Sequence, residues 1–488
     1  MFFFVYVDII GEQKEVLGMI KPDFKISRTR GNGNYKRSDF VLNKSVSNKY
    51  SGKKFYLKTY GCQMNEHDSE KIRALLINLG FSEVKEYDNA DLVLLNTCSI
   101  RENVHNKVFG MLGRFKHLKE TKKDLLVGIC GCMAQEEGVV NTILEKYKWI
   151  NFVFGTHNLF NLSNIIDKAI EESRLNIEVY SKELDIMEGV PVARENSHKA
   201  FVNIVYGCNQ FCTYCIVPFT RGEERSREYS DIVNEVKELV SDGCKEVTLL
   251  GQNVNNYGRD LYDDYDMASL LIDVAKTGIK RVRFTTSNPW FFSDRMIDAI
   301  KDYDNIMPSV HLPVQSGSNK VLKSMNRRNT RESYLELFDK IKSIPRVTIS
   351  TDIIVGFPGE SEEDFLETIS LVDYCKFDNA FSFIYSKREG TIASKKEDTT
   401  LLEVKEERLQ RLNKILNGYF LGNNKKLLGQ KLEVLIEGVS DKKNGYYGYS
   451  DTNKLVNIIG EDELEVGDII EVEITNAKTW SVDGKRVG

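Results

Sequence analysis

The sequence predicts an α/β protein with three folded parts: an amino-terminal open parallel sheet, a central partial (βα)6 barrel, and a small antiparallel β-barrel at the carboxyl end. Two successive series of alternating strand-like and helix-like patterns predict the first two parts, because this alternation is typical of parallel sheets covered by helices. Short strands separated by Gly, Asp and Asn predict the third part. The chain has 488 residues, 41% hydrophobic and 28% charged, which is typical of a globular protein with several cores.

The amino-terminal domain is predicted to span residues 53–171. Its strand-like runs are FYLKTY (55–60), DLVLLN (91–96), LLVGIC (125–130) and FVFG (152–155). The helix after the first run is predicted from apolar residues spaced i, i+3, i+4 and i+7, which are Ile72, Leu75, Leu76 and Leu79. We expect these strands to be parallel, with their carboxyl ends at one edge of the sheet.

The barrel domain is predicted to span residues 194–425, after a charged linker at 172–193. Its six strand candidates are FVNIVY (201–206), EVTLLG (246–251), RVRFTT (281–286), SVHLPV (309–314), VTISTDIIVG (347–356) and NAFSFIY (379–385). Helical patterns separate them, and Ser361 is a suitable N-cap for the helix at 361–375. Functional residues of such a barrel are expected at the carboxyl ends of its strands.

The two terminal segments differ in charge. Residues 1–52 contain nine Lys or Arg against five Asp or Glu, and we interpret them as a flexible basic arm. Residues 427–488, the predicted small barrel, contain seven Lys or Arg against twelve Asp or Glu. Because RNA phosphates require clustered positive charge, an RNA-binding barrel and a purely structural barrel both remain open. The candidate RNA contacts are Lys442, Lys443, Lys485, Arg486, Tyr446, Tyr447 and Tyr449.

Overall charge and hydropathy point to a cytoplasmic protein without a membrane partner. The net charge of −5 and pI near 5.9 are not the global signature of a nucleic-acid binder. No apolar run of about 18 residues predicts a membrane span, and the apolar first ten residues lack the flanking features of a signal peptide. In a reducing compartment, the nine cysteines are more often metal ligands or reactive groups than disulfides.

Three cysteines follow the first predicted barrel strand. Cys208, Cys212 and Cys215 lie in GCNQFCTYC, with three and then two residues between them. Thiolates are the usual ligands of iron–sulfur clusters, and three of them leave the fourth iron of a 4Fe-4S cluster free for a small molecule. Structural zinc sites favour paired CxxC units and four ligands, and no fourth Cys or His is close in sequence. The spacing therefore predicts a cluster with one open iron.

Three further cysteines end successive strands of the amino-terminal sheet. Cys62 follows the first, Cys98 the second and Cys132 the third. Because these ends meet in one crevice of an open parallel sheet, the three thiols are candidates for a second cluster. Spacing alone also permits three buried core thiols, and Cys130 is a competing ligand. Cys244 and Cys375 are interpreted as core packing.

Several motifs resemble those of known enzymes. CNQFCTYC is similar to the C-x3-C-x2-C motif of radical S-adenosylmethionine enzymes, and YGCQMNEHDSE, NTCSIRE and GCMAQ resemble the amino-terminal domain of the methylthiotransferases. The resemblance covers residues 53–488 and implies two 4Fe-4S clusters and S-adenosylmethionine as cofactors. It also implies that the auxiliary cluster carries sulfur that one S-adenosylmethionine methylates, while a second is cleaved to a 5′-deoxyadenosyl radical.

The branch of this family is indicated by LLGQNVNNYG (249–258) and HLPVQSGSNKVLKSMNRR (311–328). These segments resemble the methylthiotransferases that modify carbon 2 of N6-isopentenyladenosine at position 37 of tRNA, and the tail resembles a TRAM domain. The implied partners are this tRNA and a low-potential electron donor such as flavodoxin or ferredoxin. The alternatives are a sister enzyme acting on N6-threonylcarbamoyladenosine or a ribosomal protein aspartate, and a non-catalytic metal-stabilised RNA-binding protein.

Polar residues after the other barrel strands are further site candidates. Those expected to contact S-adenosylmethionine are Gln315, Ser316, Gly251, Gln252 and Asp352; ordinary loop chemistry is the alternative for each. Arg221, Arg225 and Arg227 follow the cluster loop, and either bind phosphates or pair with Glu223, Glu224 and Glu228. His311 is left without a role.

Overall fold

The computed structural model describes residues 15–16, 19–29, 37–41, 46–99, 102–172, 174–182, 186–440, 445–460 and 463–487. Three folded parts follow one another along the chain, as predicted. None of the helices in these ranges is long and apolar enough to cross a membrane.

The amino-terminal part is an open sheet of eight strands, parallel except for one antiparallel pair at its edge. In sheet order the strands are Glu15–Val16, Met19–Ile20, Asn176–Glu178, Phe152–Phe154, Leu126–Gly131, Leu92–Thr97, Lys54–Thr59 and Ser82–Glu83. Its helices are Gln63–Asn78, Glu102–Thr121, Glu137–Lys146 and Leu162–Glu172. Each face of the sheet carries its own apolar cluster. Helices cover both faces, so the side chains that point to either side of a central strand are apolar.

Short strands occur where an arm and a linker were expected. Glu15–Val16 and Met19–Ile20 join the sheet beside Asn176–Glu178, and Arg37–Asp39 pairs with Ile186–Glu188. The helix Phe24–Arg28 lies against the body of the protein. The described parts of these segments therefore differ from a flexible arm and an unstructured linker. Strands of two or three residues show no periodicity, and only their pairing partners define them.

The central part contains the six predicted strands as a partial barrel. They are Lys199–Asn203, Glu246–Leu250, Arg281–Phe284, Ser309–His311, Thr348–Val355 and Asn379–Ile384. They form two parallel three-stranded sheets, which are linked where the backbone N–H of Met307 donates to the carbonyl of Val282 at 2.9 Å. The helices of eight or more residues are Tyr229–Ser241, Met267–Ala275, Asp294–Asp302, Arg331–Lys342, Glu362–Cys375 and Leu402–Lys425. Ser361 caps the fifth of these, as predicted, because its hydroxyl accepts from the N–H of Asp364 at 3.2 Å.

The carboxyl-terminal part is a closed five-stranded barrel. Its strands, in order around the barrel, are Lys431–Ser440, Gly445–Ser450, Leu455–Ile459, Val482–Arg486 and Ile469–Ala477. All neighbours are antiparallel except the third and fourth, which are parallel. This barrel docks on the amino ends of the central strands, for example where Thr348 donates its hydroxyl to the carbonyl of Thr452 at 2.7 Å. The carboxyl ends of the central strands therefore remain available for a site.

Candidate active site

The first thiol trio lies in the loop after the short strand Val205–Tyr206. Gly207 adopts a left-handed φ of 67°, and a Cβ there would lie 2.0 Å from the carbonyl oxygen of Glu223, so only glycine fits this turn. Cys208 is buried, whereas Cys212 and Cys215 are half-buried. The N–H of Cys215 donates to the carbonyl of Cys212 at 2.9 Å. The backbone thus holds three thiols within one compact loop.

Burial raises the pKa of two of these thiols, Cys208 and Cys215. It raises the pKa of Cys208 well above its usual value, with Glu224 adding to the effect. Burial and then Cys212 raise the pKa of Cys215 to about 12. Deprotonation of Cys208 and Cys215 is therefore favoured by a bound metal, since metal ions displace thiol protons.

The second thiol trio lies at the carboxyl ends of three adjacent parallel strands. Cys62 precedes the helix Gln63–Asn78, Cys98 follows Leu92–Thr97, and Cys132 follows Leu126–Gly131. The Cys62 thiol is hydrogen-bonded to Cys98, and this contact, opposed by burial and assisted by nearby Arg221, lowers the pKa of Cys62 to about 6. Burial, and to a smaller extent the nearby Cys62, raises the pKa of Cys132 against the effect of Arg221, so the structure brings together three cysteines that are far apart in sequence.

Two buried asparagines that sequence reasoning missed hold the strand ends of this trio. The side-chain amide of Asn65 donates to Asn96 Oδ1 at 3.2 Å and to the carbonyl of Thr97 at 3.1 Å. Asn96 in turn donates to the carbonyl of Asn65 at 2.9 Å. Their signal in the sequence is an Asn close to a Cys in both CQMN (62–65) and NTC (96–98). Buried amides that are paired in this way fix the loops that carry the thiols.

Cys130, the competing ligand, lies within the strand Leu126–Gly131. Its side chain is buried in the apolar cluster that contains Phe55 and Phe152, and burial raises its pKa well above the usual value. Cys132 lies beyond the strand in a short 3-10 turn. Cys244 and Cys375 are buried in the core of the central barrel, which agrees with their interpretation as core packing.

A cavity of about 630 Å³ lies at the carboxyl ends of the barrel strands, next to the first trio. Cys215 and Tyr214 line it from the first trio's loop, and Ser99, the neighbour of Cys98, lines it from the amino-terminal domain. Gln315 and Asp352 also line it. Gln315 has a left-handed φ of 70°, and its N–H donates to the carbonyl of Asp352 at 2.8 Å. A small molecule in this cavity would contact Cys215 and Ser99, the residue next to Cys98.

The other three polar candidates are not among the residues that line this cavity. The Ser316 hydroxyl lies 3.3 Å from that of Thr368 and is fully buried. Gly251 packs on Val205. Gln252 donates to the Met64 sulfur at 2.7 Å, which connects the barrel to the amino-terminal domain.

The three arginines after the cluster loop are buried and are therefore not a surface for RNA phosphates. Arg221 pairs with Asp68 at 2.7 Å. Arg227 pairs with Glu188 and Glu235 at 2.6 and 2.9 Å. The guanidinium of Arg225 lies 5.8 Å from the centre of the Tyr206 ring.

The candidate RNA contacts in the small barrel have different surroundings. Lys485 and Arg486 are exposed on its last described strand. The Tyr446 hydroxyl accepts from the N–H of Leu464 at 3.3 Å, and the ring of Tyr449 lies 5.7 Å from the Lys199 ammonium. Tyr447 is half-buried. Lys442 and Lys443 lie outside the described residues.

The chain matches three known families in the order of its three folded parts. Residues 54–155 match "Uncharacterized protein family UPF0004", residues 202–372 match the "Radical SAM superfamily", and residues 425–487 match the "TRAM domain". Over 470 residues the chain is 50% identical to tRNA-2-methylthio-N(6)-dimethylallyladenosine synthase of Staphylococcus aureus strain MRSA252, covering 96% of this chain and 91% of that protein. The chain belongs to the radical S-adenosylmethionine methylthiotransferases. The protein of the same name from strain JH9 shows the same identity and coverage.

This methylthiotransferase is therefore an enzyme whose cofactors are S-adenosylmethionine and two 4Fe-4S clusters. Its fold is also found in the radical S-adenosylmethionine methyltransferase TsrM from Kitasatospora setae with cobalamin and a 4Fe-4S cluster bound. That similarity has a TM-score of 0.51 at 12% identity and covers 70% of this chain and 74% of the other.

The residues of the methylthiotransferase fit its clusters by their donor chemistry. Within the described ranges, no three His, Cys, Asp or Glu side chains surround a point that could hold a single metal ion. In a 4Fe-4S cluster, by contrast, each protein thiolate binds its own iron. Two sets of three thiols, each confined to one site, fit that requirement.

Proposed function

We propose that this enzyme replaces the hydrogen at carbon 2 of N6-isopentenyladenosine, at position 37 of tRNA, by a methylthio group. The observation that carries the proposal is the 50% identity over nearly the whole chain to proteins named tRNA-2-methylthio-N(6)-dimethylallyladenosine synthase. The cavity lined by Cys215 and by Ser99, the neighbour of Cys98, supports it, because this chemistry joins a radical centre and a sulfur source at one carbon atom.

The proposal assigns each trio a cluster. Cys208, Cys212 and Cys215 hold the cluster that binds S-adenosylmethionine, and Cys62, Cys98 and Cys132 hold the auxiliary cluster. When bound, S-adenosylmethionine supplies on reduction a 5′-deoxyadenosyl radical, which an unactivated aromatic carbon requires.

The polar candidates are assigned roles according to where they lie. Gln315 and Asp352 line the cavity and are proposed to bind polar groups of S-adenosylmethionine directly. Ser316, Gly251 and Gln252 are proposed to hold the loops around its site, since their contacts are with protein atoms.

The cavity walls suit an isopentenylated base. Ile354, Ile384 and Leu409 line part of the cavity and offer an apolar surface for the branched hydrocarbon. The adenine must leave its stack to enter, and an anticodon loop presents its bases unstacked. The exposed Lys485 and Arg486 of the small barrel are proposed contacts for tRNA phosphates.

The enzyme also requires an electron donor. A flavodoxin or ferredoxin is proposed as the low-potential electron donor, because each cleavage of S-adenosylmethionine consumes one electron. The cytoplasm, where tRNA is modified, is the proposed location.

Nucleoside mass analysis tests this function. Cells that lack the protein should contain N6-isopentenyladenosine without the methylthio group, and the wild-type chain should restore it. Cys212→Ala should fail to restore it, whereas the matched control Cys375→Ala, which alters a core thiol, should succeed. A normal methylthio level in cells with Cys212→Ala contradicts the proposal.

The same cells separate the alternatives. A deficit confined to methylthiolated N6-threonylcarbamoyladenosine or to a modified ribosomal aspartate indicates a sister enzyme. For the purified protein we expect about eight irons per chain. Zinc without sulfide would instead indicate a metal-stabilised RNA-binding protein.

A further inference from the structure

Each thiol trio is contacted by one buried arginine. The Nε–H of Arg221 donates to the Cys132 sulfur at 3.1 Å, and Nη1 of Arg327 lies 4.0 Å from the Cys212 sulfur. The two arginines are only 7% and 9% exposed. A buried guanidinium is costly unless its surroundings compensate its charge, so two such residues beside the two trios call for a common explanation.

Arg221 joins the two domains that carry the trios. It ends the short helix Val217–Thr220, which begins two residues after Cys215, yet its side chain reaches the amino-terminal domain. There it pairs with Asp68 at 2.7 Å and contacts Cys132. Its Nη2 is buried and has no hydrogen-bond partner among the described residues. The guanidinium therefore has a free donor beside the auxiliary trio.

Arg327 is held by different means beside the other trio. Its Nη1 donates to Asn288 Oδ1 at 3.2 Å, and its guanidinium carbon lies 4.6 Å from the centre of the Trp290 ring. The buried Nε has no hydrogen-bond partner in the described part of the chain. No carboxylate of the described residues forms a salt bridge with Arg327. Its positive charge is therefore less offset than that of Arg221, which has Asp68.

We propose that Arg221 and Arg327 are positioning residues, each of which places a buried positive charge against one trio and thereby raises the reduction potential of the cluster bound there. This inference rests on the proposed cluster ligands. Reduction from the 2+ to the 1+ state adds one electron from the donor and forms or breaks no bond. A nearby cation favours the more negative state, and hydrogen bonds to the sulfurs act in the same direction.

Charge changes at the neighbours of each arginine test whether charge at that position reaches the cluster. Asp68→Asn removes the carboxylate that offsets Arg221 and should raise the potential of the auxiliary cluster. Asn288→Asp adds a carboxylate beside Arg327 and should lower the potential of the other cluster. Both changes keep the arginine and nearly the same side-chain shape. If charge at these positions does not reach the clusters, neither potential shifts.

The experiment is a redox titration followed by electron paramagnetic resonance on reconstituted full-length chains. To observe one cluster at a time, Cys62, Cys98 and Cys132 are replaced by Ala in one background, and Cys208, Cys212 and Cys215 in the other. Arg221→Gln should lower the ratio of reduced to oxidised auxiliary cluster at a fixed potential by about tenfold or more, which is 59 mV for one electron. Arg221→Lys keeps the positive charge and should therefore lower this ratio less than Arg221→Gln does.

Arg327→Gln should have the same effect on the cluster of Cys208, Cys212 and Cys215, and neither arginine variant should shift the cluster of the other trio. Unchanged potentials overturn the inference. If a Gln variant loses its cluster, the reduction potentials of Asp68→Asn and Asn288→Asp provide the test instead. Shifts of the same sign in these two variants, or no shift, overturn the inference. About four irons and four sulfides in each background test the proposed ligands separately, so failure of the ligand assignment is distinguishable from failure of this inference.

Discussion

Replacing Arg281 by Met tests how the small barrel is held to the central barrel. The Arg281 side chain is 2% exposed at the amino end of its strand. It donates to the carbonyl of Tyr449 at 3.0 Å and to the carbonyl of Glu433 at 2.9 Å. It also lies 3.8 Å from the buried carboxylate of Glu246. Met preserves an unbranched apolar stem but removes every donor.

The expected cost follows from these contacts. Two hydrogen bonds from a charged donor contribute about 1.5–3 kcal/mol each. The ion pair with Glu433, whose side chain is 59% exposed, adds less than about 1 kcal/mol. Glu246 would lose one of its buried cationic neighbours. We therefore expect the docked state to lose about 3–6 kcal/mol, which is at least a hundredfold in its equilibrium constant.

Amide hydrogen exchange measures this loss directly. Protection of the strands Lys431–Ser440 and Gly445–Ser450 should fall by about a hundredfold in Arg281→Met. Lys431→Met is the matched control, because it removes only an exposed pair with Glu471 and should cost less than about 1 kcal/mol. Protection in Arg281→Met within about threefold of wild type would refute this account of the docking.

Three further experiments test other parts of the structure. Cys130→Ala should keep all the iron, because Cys130 packs in the core, whereas Cys132→Ala should lose about four irons per chain; equal iron loss in an iron assay contradicts this. Burial raises the pKa of Glu70 from 4.5 to about 7, so its stabilising contribution is present below pH 4.5 and is lost as pH rises through 7. Glu70→Gln should therefore gain stability over wild type in denaturant titrations between pH 5 and 8, and a pH-independent difference speaks against it. Phe24→Ala removes a ring 5.5 Å from that of Phe219 and should release the helix Phe24–Arg28 at a cost of about 3 kcal/mol, visible as faster proteolytic cleavage there; wild-type cleavage rates would show that this contact holds nothing.

The sequence by itself determined the three folded parts and the first thiol trio. Strand and helix periodicity is local, and each of the six barrel strands lies where its apolar pattern placed it. The spacing of Cys208, Cys212 and Cys215 is local too, since one loop contains all three. The equivalent positions of Cys62, Cys98 and Cys132 at strand ends followed from the geometry of parallel sheets.

Only the tertiary structure decided which groups meet across the domains. Arg221 and Cys132 are 89 positions apart, and no periodicity connects them. The same is true of Arg281 and Tyr449, whose contact sets where the small barrel docks, 168 positions apart. The packing of Cys130 in the core likewise depends on residues from other strands. Apolar periodicity predicts which side of a helix or strand is buried. The contacts of a buried charge or thiol, by contrast, are fixed only when separate segments of the chain pack together.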